Sequence, residues 1–296
     1  MILALIITHN RLNELKTCIQ KIKSQSLLPD KILVIDNQSN DGTKEYLNNN
    51  KIDNIYSINN GSAGGWNLGI NYCLKNNYDF IWMMDDDGYP DKFALENLYN
   101  NFSKNFSCLS SLILDINDNN KLAIPLPILN KKNNPVIFRF KRKIKYKNYF
   151  SDKIKYYSFA NFFNGSLINI NSIKKIGNID INYFIYGEEV DFFHRLRKVG
   201  KVLTCLNSIH YHPSINKRWT RIKMYYYIKN SIHLNFKYYD HPYIRSLLNI
   251  FVIFYRIFRY NGLMFFLKTF EYKNIKKLLS AIYKGFKSQI GNDYFQ

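Results

Sequence analysis

Long hydrophobic runs are lacking in this sequence of 296 residues. The most apolar stretch, residues 246–255, is bracketed by Arg245 and Arg256 and falls well short of the ~20 residues that a membrane-spanning helix needs. The chain starts with an apolar segment, but no basic segment precedes it, and polar residues 9–11 end it too early for a signal peptide. We therefore expect neither a transmembrane helix nor a secretion signal.

Cysteine and acidic residues are also scarce. The 4 cysteines are widely separated and form no C-x-x-C pair, which argues against a zinc site and a disulfide framework and favours reduced thiols in the cytoplasm. Against 42 Lys and Arg there are 22 Asp and Glu, so the formal net charge is +20. This positive field attracts polyanions or anionic lipid, and charge alone does not choose between them.

What the sequence does contain is enough apolar side chain for a folded core, since 46% of its residues are hydrophobic. The first third alternates short apolar runs with amphipathic ones, the βαβα pattern of an α/β fold with a mainly parallel sheet. The predicted strands are residues 2–7, 31–35, 54–58 and 80–84, and the predicted helices are residues 12–24, 43–48, 63–76 and 91–103.

Three consecutive aspartates, Asp85, Asp86 and Asp87, follow the fourth predicted strand. Adjacent carboxylates repel one another, so a bound cation explains them, and Mg²⁺ or Mn²⁺ commonly binds one or two carboxylates together with substrate phosphates. The alternative is an acidic turn that caps the helix beginning at Asp91. The position after a buried strand favours the metal, because ligands bind at the carboxyl ends of strands in open α/β sheets.

A loop of small residues, residues 59–67, leads into the third predicted helix. Such loops let backbone N–H groups approach phosphates at the positive end of a helix. A flexible turn has the same composition, so the loop alone is a weak signal. It also lacks the lysine of the phosphate loop found in nucleotide triphosphatases.

Two further patterns lie later in the chain. Glu188 and Glu189 open a predicted helix, where a carboxylate can take the proton of an attacking hydroxyl or can merely form an acidic first turn, with Asp191 and Arg195 paired at i,i+4 spacing. His210 and His212 end a predicted strand. A lone His at a strand end more often has an ordinary structural role, but two at i,i+2 spacing point the same way, which modestly favours metal binding.

Taken in order, these motifs resemble the family 2 glycosyltransferases, which have the GT-A fold. The resemblance covers about the first 213 residues and is carried by the segments 7–11, 34–37, 39–43, 61–67, 84–87 and 164–166, by Glu188-Glu189 with Arg195, and by His212. It implies a nucleotide-sugar site built from Thr8, Asn10, Arg11, Asp36, Gly64, Gly65, Asn67, Asp85 and Asp86. It also implies that Asp85, Asp87 and His212 bind the metal.

The resemblance further assigns the catalytic base to Glu189, the second residue of the acidic pair. Relatives often have Asp at this position, so the choice between Glu188 and Glu189 stays open. The reaction implied is an inverting hexosyl transfer that depends on Mn²⁺ or Mg²⁺. Aromatic residues that could stack on acceptor sugars, or could simply belong to the core, are Trp66, Phe162, Phe163, Tyr183 and Tyr186.

The triple aspartate and the glycine-rich loop resemble most the bacterial galactofuranosyltransferases and rhamnosyltransferases. UDP-galactofuranose is thus the first expectation for the donor, dTDP-rhamnose is the alternative, and hexopyranose donors stay open. The expected acceptor is a hydroxyl of a growing cell-surface glycan, such as O antigen or capsule, or of a lipid-linked glycan.

Two domains are predicted, a GT-A catalytic domain at residues 1–215 and a helical, basic and aromatic region at residues 216–296. In the latter, Ile275, Leu278, Leu279, Ile282 and Phe286 fall on one helical face. The region could attach to an anionic membrane surface, which would place the protein peripherally on the inner face of the plasma membrane. It could equally form a homo-oligomer contact.

Three alternatives compete with the transferase. A nucleic-acid-binding protein would suit the positive charge but leaves the aspartates unexplained, so we predict no nucleic-acid partner. A nuclease or phosphatase with two metals would need more converging carboxylates and histidines. A relative that has lost catalysis would not need the intact acidic residues.

Overall fold

The computed structural model describes residues 1–214 and 218–294. The chain divides into two compact units: the first comprises Met1–Asn60, Gly64–Ile179 and Phe192–Ile215, and the second comprises Gly61–Ala63, Asp180–Asp191 and Asn216–Gln296. The domain boundary predicted between residues 215 and 216 lies outside the described residues. Two short segments that precede this boundary belong to the second unit, so both units are discontinuous in sequence.

The first unit is built on a mixed sheet. In the described residues its strands are β1 (Ile2–Thr8), β2 (Lys31–Asp36), β3 (Asp53–Tyr56), β4 (Phe80–Asp85), β5 (Tyr89–Pro90), β6 (Phe106–Asp115), β7 (Asp118–Pro127), β8 (Lys143–Tyr146), β9 (Tyr156–Tyr157), β10 (Asn164–Asn169) and β11 (Lys201–His212). The main order is β3-β2-β1-β4-β10-β6-β11-β5, with β7, β8 and β9 attached beside it.

Four neighbouring strands, β3, β2, β1 and β4, run parallel, and β10 then pairs antiparallel with β4 and β6. The register places Thr8 opposite Asp36 and Ile7 opposite Asp85. The polar residues that end three successive strands therefore meet at one edge of the sheet, which is where α/β folds bind ligands.

Ten α-helices lie in the described ranges. They are α1 (Leu12–Lys23), α2 (Thr43–Asn49), α3 (Gly61–Lys75), α4 (Ala94–Asn100), α5 (Ile170–Ile176), α6 (Glu188–Leu196), α7 (Arg221–Tyr238), α8 (Pro242–Asn261), α9 (Leu263–Lys268) and α10 (Tyr272–Phe286). The early strands and helices fall close to the predicted positions. The third helix, α3, begins at Gly61, two residues before its predicted start, so most of the small-residue segment 59–67 is helical.

The second unit has its own apolar core, formed by α7, α8 and α10 with buried residues such as Tyr226, Ile253 and Leu278. Ile275 and Ile282 pack against this core. Of the five residues on the predicted α10 face, Ile275, Leu278 and Ile282 thus pack inside the unit, whereas Leu279 and Phe286 are exposed. Among the described residues, no helix is long and apolar enough to cross a membrane.

Candidate functional site

The three aspartates after β4 have different surroundings in the first unit. Asp86 is buried, accepts a hydrogen bond from the Thr8 hydroxyl at 2.8 Å and pairs with the Arg11 guanidinium at 2.8 Å. Burial raises the pKa of Asp86, and the charge of Arg11 offsets part of this rise. Arg11 also reaches Asp87 at 2.8 Å, so a single arginine bridges two of the three carboxylates.

Asp87 meets His212, which ends β11. Nε2 of the imidazole lies 3.1 Å from Oδ1 of Asp87, and Nδ1 lies 2.7 Å from the carbonyl oxygen of Pro213. If Nδ1–H donates to that carbonyl, Nε2 of the neutral ring directs a lone pair at the carboxylate. Two lone-pair atoms at this distance need a proton or a cation between them, and a backbone carbonyl on the other nitrogen is typical of metal-bound histidine.

These two residues fit a divalent cation whose remaining ligands come from substrate phosphates. In the described part of the chain, however, no three His, Cys, Asp or Glu side chains converge into a group that could hold a metal ion. The structure thus brings together two of the three predicted ligands. Asp85 lies half-buried at the end of β4, and its place in the metal site stays a prediction.

The end of β2 offers a second polar position. Oδ1 of Asp36 accepts a hydrogen bond from the backbone N–H of Ser39 at 2.8 Å, whereas Oδ2 is buried without a partner in the described residues. A buried carboxylate oxygen without a donor is costly, so a ligand N–H would satisfy it. Asn10 ties the neighbouring loops together, since its backbone N–H donates to Ser39 and its side chain accepts from the N–H of Asn40.

The glycines of α3 allow close packing, which the loop prediction did not foresee. A Cβ on Gly65 would lie 2.9 Å from Nδ2 of Asn37 and 3.0 Å from Cδ1 of Ile7, so the helix approaches the strand ends closely at this point. At Gly64 an added Cβ would meet the side chain of Asn60. Asn67 donates to the carbonyl of Ile179 at 2.7 Å, so a phosphate would have to displace this bond to reach the amide.

Glu188 and Glu189 lie at the start of α6, in the second unit. Glu188 is buried, Ser62 donates to its Oε1, and its Oε2 has no partner among the described residues. Oε2 of Glu189 accepts from the backbone N–H of Gly187 at 2.8 Å. Burial raises the pKa of both, and the charge of Glu189 raises that of Glu188 further, to well above its ordinary value. A proton held on Glu188 leaves Glu189 as the carboxylate of the pair.

The loop before this pair is held in an unusual conformation. Phe184 and Tyr186 have positive φ angles of 61° and 62°, and at Gly187, with φ 103°, an added Cβ would lie 2.9 Å from Leu234. The buried side chain of Asn230 on α7 donates to the carbonyls of Tyr183, Ile185 and Tyr186 at 2.9, 3.1 and 2.7 Å. Asn230 therefore fixes the strained loop that leads to the glutamates.

Asp191 and Arg195, which the sequence pairs at i,i+4 spacing, each contact further elements of the fold. Asp191 is buried and accepts hydrogen bonds from Lys237 at 2.8 Å and from the hydroxyl of Tyr238 at 2.6 Å. Arg195 donates to the carbonyls of Ile176 and Gly177. The contacts of Asp191 anchor the first turn of α6 to α7.

Most of the aromatic residues considered for sugar stacking belong to the core. Trp66 is buried and stacked on Phe163 at 4.4 Å, and Phe162 and Tyr183 are also buried. Tyr186 differs, because it is half-buried and stacks on Trp219 at 5.7 Å, with Tyr227 edge-on to both rings. Sequence reasoning missed Trp219, Tyr227 and Asn230, since nothing in the local pattern links them to the acidic pair.

The fold and the paired carboxylates define a glycosyltransferase with the GT-A fold. The family described as Glycosyl transferase family 2 matches residues 4–164, and the chain belongs to this family. The predictions of family, fold class and enzyme class are therefore confirmed, and the nucleic-acid-binding and nuclease alternatives are set aside.

Among characterised proteins, the chain is similar to the galactofuranosyltransferases GlfT1 of Mycolicibacterium smegmatis and Mycobacterium tuberculosis. It is 28% identical to the first over 219 residues, covering 72% of this chain and 71% of the relative. The identity to the second is 29% over 220 residues, covering 72% and 70%.

Solved structures give the same fold. GalNAc-T7, crystallised with UDP, GalNAc and Mn²⁺, superposes with a TM-score of 0.62 at 15% identity over 82% of this chain and 49% of its own. Staphylococcus aureus TarS superposes with a TM-score of 0.60 at 11% identity over 97% of this chain and 49% of its own. The chain thus spans about half the length of these two structures, and at such identities the likeness concerns the fold alone.

Proposed function

We propose that the protein transfers galactofuranose from UDP-galactofuranose to a hydroxyl of a growing cell-surface glycan or lipid-linked glycan, with inversion and with Mn²⁺ or Mg²⁺. The proposal rests on the contact of 3.1 Å between Nε2 of His212 and Oδ1 of Asp87. This contact lies next to Asp86, whose carboxylate is paired with Arg11. The choice of sugar is supported by the two galactofuranosyltransferase relatives.

On the donor side, the unpartnered Oδ2 of Asp36 accepts an N–H of the nucleotide base. Asp87 and His212 would hold the cation, which would supply positive charge against the departing diphosphate. Arg11 keeps Asp86 and Asp87 in place and adds a second positive charge at the same end of the sheet. We assign Thr8 to positioning Asp86, since it donates to that carboxylate.

On the acceptor side, Glu189 takes the proton of the acceptor hydroxyl while the hydroxyl oxygen bonds to the anomeric carbon. The bond from that carbon to the diphosphate oxygen breaks, the electron pair leaves with UDP, and attack opposite the leaving group inverts the anomeric centre. Glu188 keeps its proton and stays neutral beside Glu189. The half-buried rings of Tyr186 and Trp219 offer a surface on which an acceptor sugar can stack.

The binding half of the proposal is tested by calorimetric titration of UDP and of dTDP with and without Mn²⁺. We expect Mn²⁺-dependent binding of UDP that is lost in Asp87→Ala and kept in Asp152→Ala, which removes an exposed aspartate. Tighter binding of dTDP would redirect the proposal to dTDP-rhamnose. Binding of neither nucleotide would overturn the donor site.

The chemical half is tested by incubating the enzyme with UDP-galactofuranose and a synthetic glycan acceptor. The product's anomeric configuration, read by NMR, is expected to be opposite to that of the donor. Retention of configuration would contradict the role given to Glu189.

A further inference from the structure

The second unit turns an apolar stripe of α8 outward. Ile244, Leu247, Phe251, Tyr255 and Phe258 recur at spacings of three and four residues, and all five are exposed, with Leu247 at 68% and Phe251 at 70%. The opposite side of α8 is packed, since Ser246, Ile253 and Ile257 are buried. A surface helix of a globular protein normally turns polar side chains outward, so α8 lacks the polar face that its position calls for.

The stripe continues onto α9. Leu263, Met264 and Leu267 are each more than half exposed. Aromatic contacts join the two helices, because Phe258 lies 5.8 Å from Phe266 and Phe254 stacks on Phe270 at 5.6 Å between ring centroids. We call the exposed set the α8–α9 face; it consists of Ile244, Leu247, Phe251, Tyr255, Phe258, Leu263, Met264 and Leu267.

The net charge of the segment that carries this face is positive. Residues 241–292 contain nine Lys and Arg and one acidic residue, Glu271, and two of the nine are paired with aspartates just outside this range, Arg245 with Asp240 and Lys284 with Asp293. Arg259 and Lys268 lie at the ends of α8 and α9, and both are exposed. A second copy placed face to face would bring these like charges together, whereas an anionic surface complements them.

We propose that the α8–α9 face binds a bilayer that contains anionic lipid. The apolar side chains enter the boundary between head groups and acyl chains, and the basic side chains contact the lipid phosphates, as in interfacial amphipathic helices. Each basic side chain near such a surface strengthens binding by about fivefold. The side of α8 that is packed in the core stays in the protein, so the helix lies along the membrane surface.

Binding of the full-length protein to phosphatidylcholine vesicles with and without phosphatidylglycerol tests the proposal. We expect binding at least about twentyfold stronger to the vesicles with phosphatidylglycerol, weakened by salt. Phe251→Glu and Leu247→Glu should each weaken vesicle binding by at least about tenfold, because each variant loses the free energy gained when an apolar side chain moves from water into the bilayer. Phe140→Glu changes a fully exposed phenylalanine of the first unit and serves as the control.

Equal binding to both vesicle types, or equal losses in Phe251→Glu and Phe140→Glu, would overturn the proposal. A second outcome would also overturn it: the wild type binds no vesicles and is a dimer by light scattering, and Phe251→Glu is a monomer. The α8–α9 face would then bind a second copy of the chain. Thermal unfolding of each variant checks that it is folded. Vesicle binding needs neither donor nor acceptor, so its outcome is independent of the transferase proposal.

Discussion

Nε2 of His212 lies 3.1 Å from Oδ1 of Asp87, although 125 residues separate the two in sequence. The contact depends on β11 ending beside the turn between β4 and β5, and β11 pairs directly with β5 through His210 and Tyr211. The backbone pairing of these strands therefore places the imidazole at the carboxylate.

Replacing His212 with alanine is expected to weaken the binding of the metal on which UDP binding depends. Loss of one protein ligand leaves Asp87 as the remaining partner of the pair, so the Mn²⁺ concentration needed for half-maximal UDP binding rises by at least about tenfold. Calorimetry at a series of Mn²⁺ concentrations measures this. His241→Ala, which changes an exposed histidine of the second unit, should leave the Mn²⁺ requirement unchanged.

The two glutamates are expected to differ in their effect on turnover. Glu189→Gln removes the proposed base and should lower kcat by about 10²- to 10⁴-fold. Glu188→Gln preserves an acceptor for Ser62 and keeps the position neutral, so kcat should stay within about tenfold of the wild type. Steady-state kinetics with saturating donor separate the two cases, and the reverse ranking would make Glu188 the base.

Stability should respond to pH through Glu188. Because its folded pKa lies above the unfolded value, the folded state keeps a proton that the unfolded state releases, and stability falls as pH rises through this interval. Glutamine does not titrate, so the stability of Glu188→Gln does not fall with pH in this way. The Tm of the variant should match the wild type near pH ~4 and exceed it increasingly toward pH ~8. Glu45→Gln, at an exposed position, should show no such divergence.

Asn230 is expected to act as a positioning residue for the acidic pair. Asn230→Ala leaves three carbonyls without their donor, that of Tyr183 in a buried contact and those of Ile185 and Tyr186 in part-buried ones, which costs on the order of 1–3 kcal/mol of stability. It should also lower kcat by at least about tenfold while the Kd for UDP stays the same, since the donor residues lie in the first unit. Asn235→Ala removes a single bond, to Ser246, and is the control. A parallel loss of UDP binding would point to general unfolding instead.

The early strands and helices could be predicted because their apolar residues recur with clear periods. The strand β6 could not, since serines interrupt its apolar pattern although every residue in it is buried. These serines are satisfied by partners distant in sequence: Ser110 donates to the carbonyl of Asn161, and Ser111 shares a hydrogen bond with Ser208. Polar residues with such partners occupy core positions that a hydropathy pattern assigns to the surface.

The helix α3 begins at Gly61, two residues before the predicted start at residue 63. Glycine has low helix propensity, so a glycine-rich segment does not by itself favour a helix that begins there. Tertiary packing overrides this preference, because Gly65 and Gly69 let the helix approach Asn37 and Leu5 more closely than a side chain would allow. In the candidate site, Asp86, Asp87, His212 and the glutamates could be found as isolated motifs, whereas their hydrogen-bond partners depend on the fold.

The hydrogen bonds of Asn230 also bear on how this enzyme can evolve. The family match ends at residue 164, yet the loop that carries the acidic pair is fastened by a side chain from α7. Suppose that recombination replaced the helices after residue 214 with those of a distant relative. The hydrogen bonds from Asn230 to the loop would then be lost, unless the new helix also placed a side-chain amide at the loop. We therefore expect residues 183–187 and α7 to be inherited together, as one evolutionary unit.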